Sequence, residues 1–210
     1  MPVPIVYRTT GELLVSYSFT DLMARTGYIR YYAGKSDMSG ADVQYLSPLT
    51  LDSNPIYQEI AYGGTSFGAG VNLDFDITFN QGATLRGDAL LNITQEQVGG
   101  NNLTIFVRCT ISHVRGATVT VIGGPRESQA RTGVANLVYR ENLVIALTET
   151  TFAKGDILRL NVTQYGKRTG ANETGRVYFD PGLKLPALTD VDGRSIGTDL
   201  IFDVPFKIAI

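Results

Sequence analysis

In the stretch VNLDFDITFN, apolar and polar residues alternate without a break from Val71 to Asn80. Val71, Leu73, Phe75, Ile77 and Phe79 share one face. Asn72, Asp74, Asp76, Thr78 and Asn80 share the other. A period of two held over this length makes a strand with one buried and one wet face. A helix would scatter the apolar residues around its circumference.

Similar runs recur along the chain: Leu13 to Phe19, Tyr28 to Ala33, Ile56 to Tyr62, Leu103 to Val114 and Thr118 to Ile122. They continue with Asn136 to Thr148, Ile157 to Tyr165, Arg176 to Asp180 and Leu200 to Ile210. Turn chemistry separates them. Gly99-Gly100-Asn101-Asn102, Gly63-Gly64, Gly123-Gly124-Pro125, Asp180-Pro181-Gly182 and Asp192-Gly193 all favour reversal of the chain. The best helix candidate is Thr20 to Arg25, with Thr20 as its N-cap and Gly27 just beyond. No crossover helix long enough for a parallel sheet is present. The expected fold is therefore all-β, an antiparallel sandwich of jelly-roll type with very little helix. We expect one domain over residues 1–210, with an extended N-terminal arm over about 1–12. A break near Gly63 to Gly70 is the two-domain alternative. Pro205 lies in the last run and places that position at an edge or a bulge. Phe206, Ile208 and Ile210 still alternate, which predicts a packed closing strand.

With 43% hydrophobic residues, the chain can bury a substantial core. Charged residues are 18% of the chain, below the usual share of about a quarter. The net charge is -2 and the cations are dispersed, Lys167-Arg168 being the densest group. A basic patch for nucleic acid is absent. Arg outnumbers Lys by 13 to 5, which favours planar pairing at protein interfaces. A membrane span would need about 18 continuous apolar residues, and no segment comes near. The start lacks a signal-peptide pattern, so synthesis in a cytoplasm is expected. Cys109 is the single cysteine; it excludes an intrachain disulfide and reads as a small buried hydrophobe.

Catalytic signals are sparse. His113, the single histidine, shares a strand face with Cys109, about 13 Å away along the strand, so the two form no thiolate pair. It reads as a structural histidine at a strand end. Gly-x-Ser-x-Gly, Cys-x-x-Cys, His-x-x-x-His and a Walker-type lysine are all missing. Asp74 and Asp76 lie about 7 Å apart on one face, and paired carboxylates can work on a glycosidic bond. That whole face is polar, so they read as solubilising residues. Asp190, Asp192, Gly193 and Ser195 resemble the opening of a calcium loop but lack its later ligands, so a turn is expected. Asn92, Asn102, Asn161 and Asn172 begin Asn-x-Thr sequons, which matter only in a secretory pathway. Tyr28, Tyr31, Tyr32 and Tyr45 could stack sugars; core or interface roles are the commoner use of such tyrosines. No catalytic, cofactor-binding or metal-binding residue is expected, and no enzyme.

Thr151 to Val162, TFAKGDILRLNV, resembles a strand entry found in jelly-roll proteins. There Gly155 turns the chain, Asp156 bonds nearby backbone, and the alternation feeds one core face. The Gly-Asp pair is then punctuation and not a catalytic carboxylate. Tyr7 to Glu12, Tyr17 to Leu22 and Val204 to Ile208 extend the likeness to both ends. Together they resemble small β-rich virion proteins of tailed bacteriophages. The resemblance implies a capsid decoration or cement protein that binds the assembled major capsid lattice, acts as a homo-oligomer, with a trimer favoured, and resides in the virion. It implies no cofactor, nucleic acid or membrane partner. The alternative it leaves is a carbohydrate-binding or tail or connector accessory module.

Overall fold

The computed structural model describes residues 14–16, 26–36, 43–51, 56–99, 102–133, 136–169, 173–181, 188–189 and 193–207, the first three and Thr26 by their backbone alone. The expected N-terminal arm, the helix candidate Thr20 to Arg25, Asp190, Asp192 and Ile208 to Ile210 lie outside them. The described chain is all strand and connection. Its elements are β1 (Leu14–Ser16), β2 (Thr26–Ser36), β3 (Val43–Ser47), β4 (Tyr57–Tyr62), β5 (Gly68–Thr78), β6 (Ala83–Val98), β7 (Leu103–Arg115) and β8 (Thr118–Glu127). They continue with β9 (Arg131–Thr132), β10 (Leu137–Phe152), β11 (Ile157–Arg168), β12 (Glu173–Tyr178), β13 (Leu188–Thr189), β14 (Ser195–Ile196) and β15 (Ile201–Lys207).

The all-β expectation stands, but the sheet closes on itself. Strand pairing runs β6, β15, β2, β3, β5, β11, β7, β8, β10 and back to β6, a ring of nine strands. An open two-sheet sandwich has no such continuous circuit, so the sandwich gives way to a barrel. Closure removes the edges that an open sheet exposes. Most pairs are antiparallel; β3 meets β5 in parallel at Tyr45 and Asp76.

Strand β6 organises the ring. One of its edges pairs with β10 from Ala83 to Gln97. The other is divided: Leu85 to Asn92 pairs with β15, and Thr94 to Val98 pairs with β12, which carries β4 outside the ring. Neither β6 nor β3 is among the runs that alternation marks in the sequence. In β6 the inward positions are Leu85, Ala89, Leu91, Ile93, Gln95 and Gln97. The two glutamines break the apolar alternation while keeping its geometry. β3 is too short for its period to stand out.

The interior is built as the alternation predicts. Val71, Leu73 and Phe75 of β5 face Leu158, Leu160 and Val162 of β11, all of them buried. Cys109 is buried among them, and desolvation pushes its thiol well above the usual range, so it is inert. Phe79 stacks on Phe152 with ring centroids 4.6 Å apart, and Phe75 meets Phe179 edge-on at 5.6 Å. Pro205 pairs with Tyr28 inside β15, next to a register shift against β6, where its missing N–H is tolerated.

Candidate interaction surface

Period two also orders the outside of the barrel. On β11 the even positions point inward, so Arg159, Asn161, Thr163, Tyr165 and Lys167 form an outward row. At the start of this row lies a polar ladder. Arg159 makes two hydrogen bonds to Asp76, of 2.8 and 2.7 Å, and reaches Asp74 at 3.2 Å. The Asn161 amide donates to Asn72 and to Asp74. Asp74 and Asp76 are therefore tied to cross-strand partners, consistent with a solubilising role.

Farther along, the row becomes aromatic. Tyr165 lies parallel to Phe106 of β7, its register partner, with centroids 5.1 Å apart. Phe106 in turn meets Phe67 edge-on at 5.1 Å. Arg108 sits 4.6 Å above the Tyr165 ring, donates to its hydroxyl at 3.0 Å and pairs with Glu127. The Lys167 ammonium lies 4.6 Å over Phe67. Phe67 follows the turn Gly63-Gly64-Thr65-Ser66 and is 41% exposed. Stacked and cation-backed rings of this kind gain beyond their buried area. The turn is fixed to β11 by the Arg168 N–H, which donates to Gly64 O at 2.8 Å. Two further Arg168 donors, Nε and Nη1, are shut off from water without an acceptor.

A second exposed region is aliphatic. Val43 at the start of β3 is 51% exposed, and Leu49 and Leu51 just after it are 58% and 44% exposed.

Part of the buried interior is polar. Gln95, Gln97 and Gln164 are fully buried. Gln97 Nε2 donates to Leu103 O at 2.8 Å and to Arg131 O at 2.7 Å. The Tyr62 hydroxyl is shared between the backbone and side-chain oxygens of Gln164, 3.1 Å from each. Its ring fills a slot left by Gly70, Gly166 and Gly175, where any Cβ would collide with it. Burial pushes this phenol well above the ordinary tyrosine range.

His113 meets a carboxylate that the sequence reading did not assign to it. Its Nε2 lies 2.8 Å from Asp156 Oδ2, and its ring packs on Phe152. Asp156 also accepts hydrogen bonds from Arg115 at 2.6 Å and from the Ala153 N–H at 2.8 Å. Arg115 and the Ala153 N–H hold its carboxyl well below the usual range. Asp156 does bond nearby backbone, as expected, and also locks the turn to β7. Among the described residues no hydroxyl or thiol is bonded to His113, so the pair has no nucleophile to activate.

The four tyrosines do not form a platform. Tyr31 points into the core, Tyr28 and Tyr32 are half-buried, and Tyr45 occupies the space that a side chain on Gly34 would take. Gly193 has a φ of 77°, which suits a turn, and Ser195 pairs with Thr189. Among the described residues no three His, Cys, Asp or Glu side chains cluster as metal ligands. No described helix is long and apolar enough to cross a membrane. Asn92 is half-buried within β6, Asn102 is exposed, and Asn172 lies outside the described residues. Phe67, Phe106 and Tyr165 escaped the sequence reading because neighbours on adjacent strands are far apart in sequence. The signal was the odd-numbered row Thr163, Tyr165, Lys167.

No family model and no curated protein matches the chain. Solved structures do. A CocE/NonD family hydrolase from Staphylococcus aureus matches with a TM-score of 0.50 and 12% identity, over 86% of this chain and 37% of the hydrolase. An aminopeptidase from a marine sediment archaeon, Thaumarchaeota archaeon, matches at 0.44 and 10% identity, over 65% of this chain and 26% of that one. A chain of infectious bursal disease virus, Gx strain, matches at 0.28 and 10% identity, over the whole of this chain and 59% of that one. This chain thus spans little more than a third of the hydrolase whose fold it shares. The likeness is one of fold. It nevertheless overturns the expectation of no enzyme, because a chain named as a hydrolase contains this β fold.

Proposed function

We propose that the chain is a virion structural module that docks on neighbouring protein subunits, as a decoration or cement protein on the assembled major capsid lattice. The observation that carries this reading is the exposed aliphatic segment at Val43, Leu49 and Leu51. Large apolar side chains grouped in water mark contact surfaces. The low charge and the preference for Arg over Lys agree with it. Binding only the assembled lattice would stabilise that lattice by linkage, and symmetric copies would add their contacts. The test is copurification with intact particles, with the copy number counted. Hundreds of copies support a decoration protein, and a dozen or fewer favour a tail or connector. Absence from particles defeats the virion reading. The double variant Leu49→Asp, Leu51→Asp should fold and fail to bind particles; undiminished binding removes this segment from the interface.

A second reading rests on the shared fold: the chain is the β portion of a hydrolase. The His113–Asp156 pair would then be the first place to probe. Turnover of ester or amide substrates that falls on His113→Gln supports it, and no turnover defeats it.

A further inference from the structure

We propose that the corner formed by the turn Gly63 to Phe67 and the end of β11 binds a carboxylated sugar, such as a uronic acid residue of an acidic polysaccharide. This site uses residues other than the Leu49–Leu51 segment and does not depend on the virion reading.

The carbohydrate half of the site is Phe67, which is 41% exposed and held edge-on against Phe106. A rigid exposed ring offers a flat surface to the C–H face of a pyranose. The carboxylate half is cationic. Lys167 lies over Phe67, and among the described residues no carboxylate pairs with it. Several cations elsewhere on the barrel are committed: Arg30 to Asp203, Arg108 to Glu127, Arg159 to Asp76 and Arg176 to Glu59. Arg168, next in sequence, brings its guanidinium to the same corner, Nη2 lying nearest Gly63 while Nε and Nη1 stay buried beneath. A guanidinium N–H makes a strong, charge-assisted hydrogen bond to a carboxylate. Gly63 leaves room above that Nη2, since a Cβ there would meet only this nitrogen, at 3.7 Å. An aromatic face beside unpaired cations complements an anionic ring better than a neutral one.

The test is calorimetric titration of the full chain with trigalacturonate, with neutral maltotriose and with acetate. Trigalacturonate should bind, more weakly as salt rises, while the other two should not. Phe67→Ala and Lys167→Ala change exposed or half-exposed groups and should keep the far-ultraviolet spectrum. Each should weaken binding by about tenfold or more. Arg168→Gln should weaken it too. No binding of trigalacturonate overturns the proposal, as does binding that survives both Phe67→Ala and Lys167→Ala. Equal affinity for maltotriose would eliminate the carboxylate contact, and equal affinity for acetate would eliminate the sugar contact; either result overturns it.

Discussion

The two halves of β6 obey one geometry with different chemistry. From Leu85 to Ile93 its inward side chains are aliphatic and belong to the main core, between β15 and β10. From Gln95 to Gln97 they are amides, just as deeply buried. The first half is held by removal of apolar surface from water, at about 25 cal/mol per Å². The second is held by hydrogen bonds from its amides to the carbonyls of Leu103 and Arg131. Burial alone therefore does not reveal what stabilises a strand. The amide half is also less complete, because Gln95 Nε2 and Gln97 Oε1 lack partners. Each such atom is a site where the barrel forgoes stability.

The contrast can be broken by substitution. Leu91→Ala should lower the unfolding free energy by about 2–5 kcal/mol, read as a fall in the urea midpoint at constant slope. Gln97→Ala should cost about 1–3 kcal/mol by stripping Leu103 O and Arg131 O of their donor. A Gln97 loss equal to that of Leu91 would erase the distinction between the halves. Acid should act at a third place. The folded Asp156 carboxyl titrates below its unfolded value, so its contribution is complete above about pH 4 and fades as pH falls below that. A pH series of thermal melts should show this fade, and Asp156→Asn should flatten it. The smallest effect belongs to the outer polar ladder. Asp76→Asn leaves Arg159 near Asp74 and should change stability by about 1 kcal/mol or less, checked by the same urea titration.

Strands that were half-buried and aliphatic were legible in the sequence. The alternation from Val71 to Phe79 marks β5, and the runs from Leu103, Asn136 and Ile157 mark β7, β10 and β11. β6 was not legible, since Gln95 and Gln97 look like surface residues until their inward parity is known. Ring closure was not legible either. It depends on β15 joining β2 to β6, a pairing of segments distant in sequence that no local period encodes. The candidate surface was half-legible. Lys167-Arg168 stood out as the densest cation pair, whereas Phe67 gained meaning only once Phe106 and Lys167 were seen beside it. His113 was read as structural, but its carboxylate partner lies 43 positions away and left no local trace.

Because Ile201 to Lys207 is the segment that bridges β2 and β6, the circuit cannot be completed while those residues are still inside the ribosome. Emerging earlier segments would carry two raw strand flanks during translation, open to the wrong neighbour. Deleting 201–207 should leave them so permanently, producing aggregates instead of a smaller working fold.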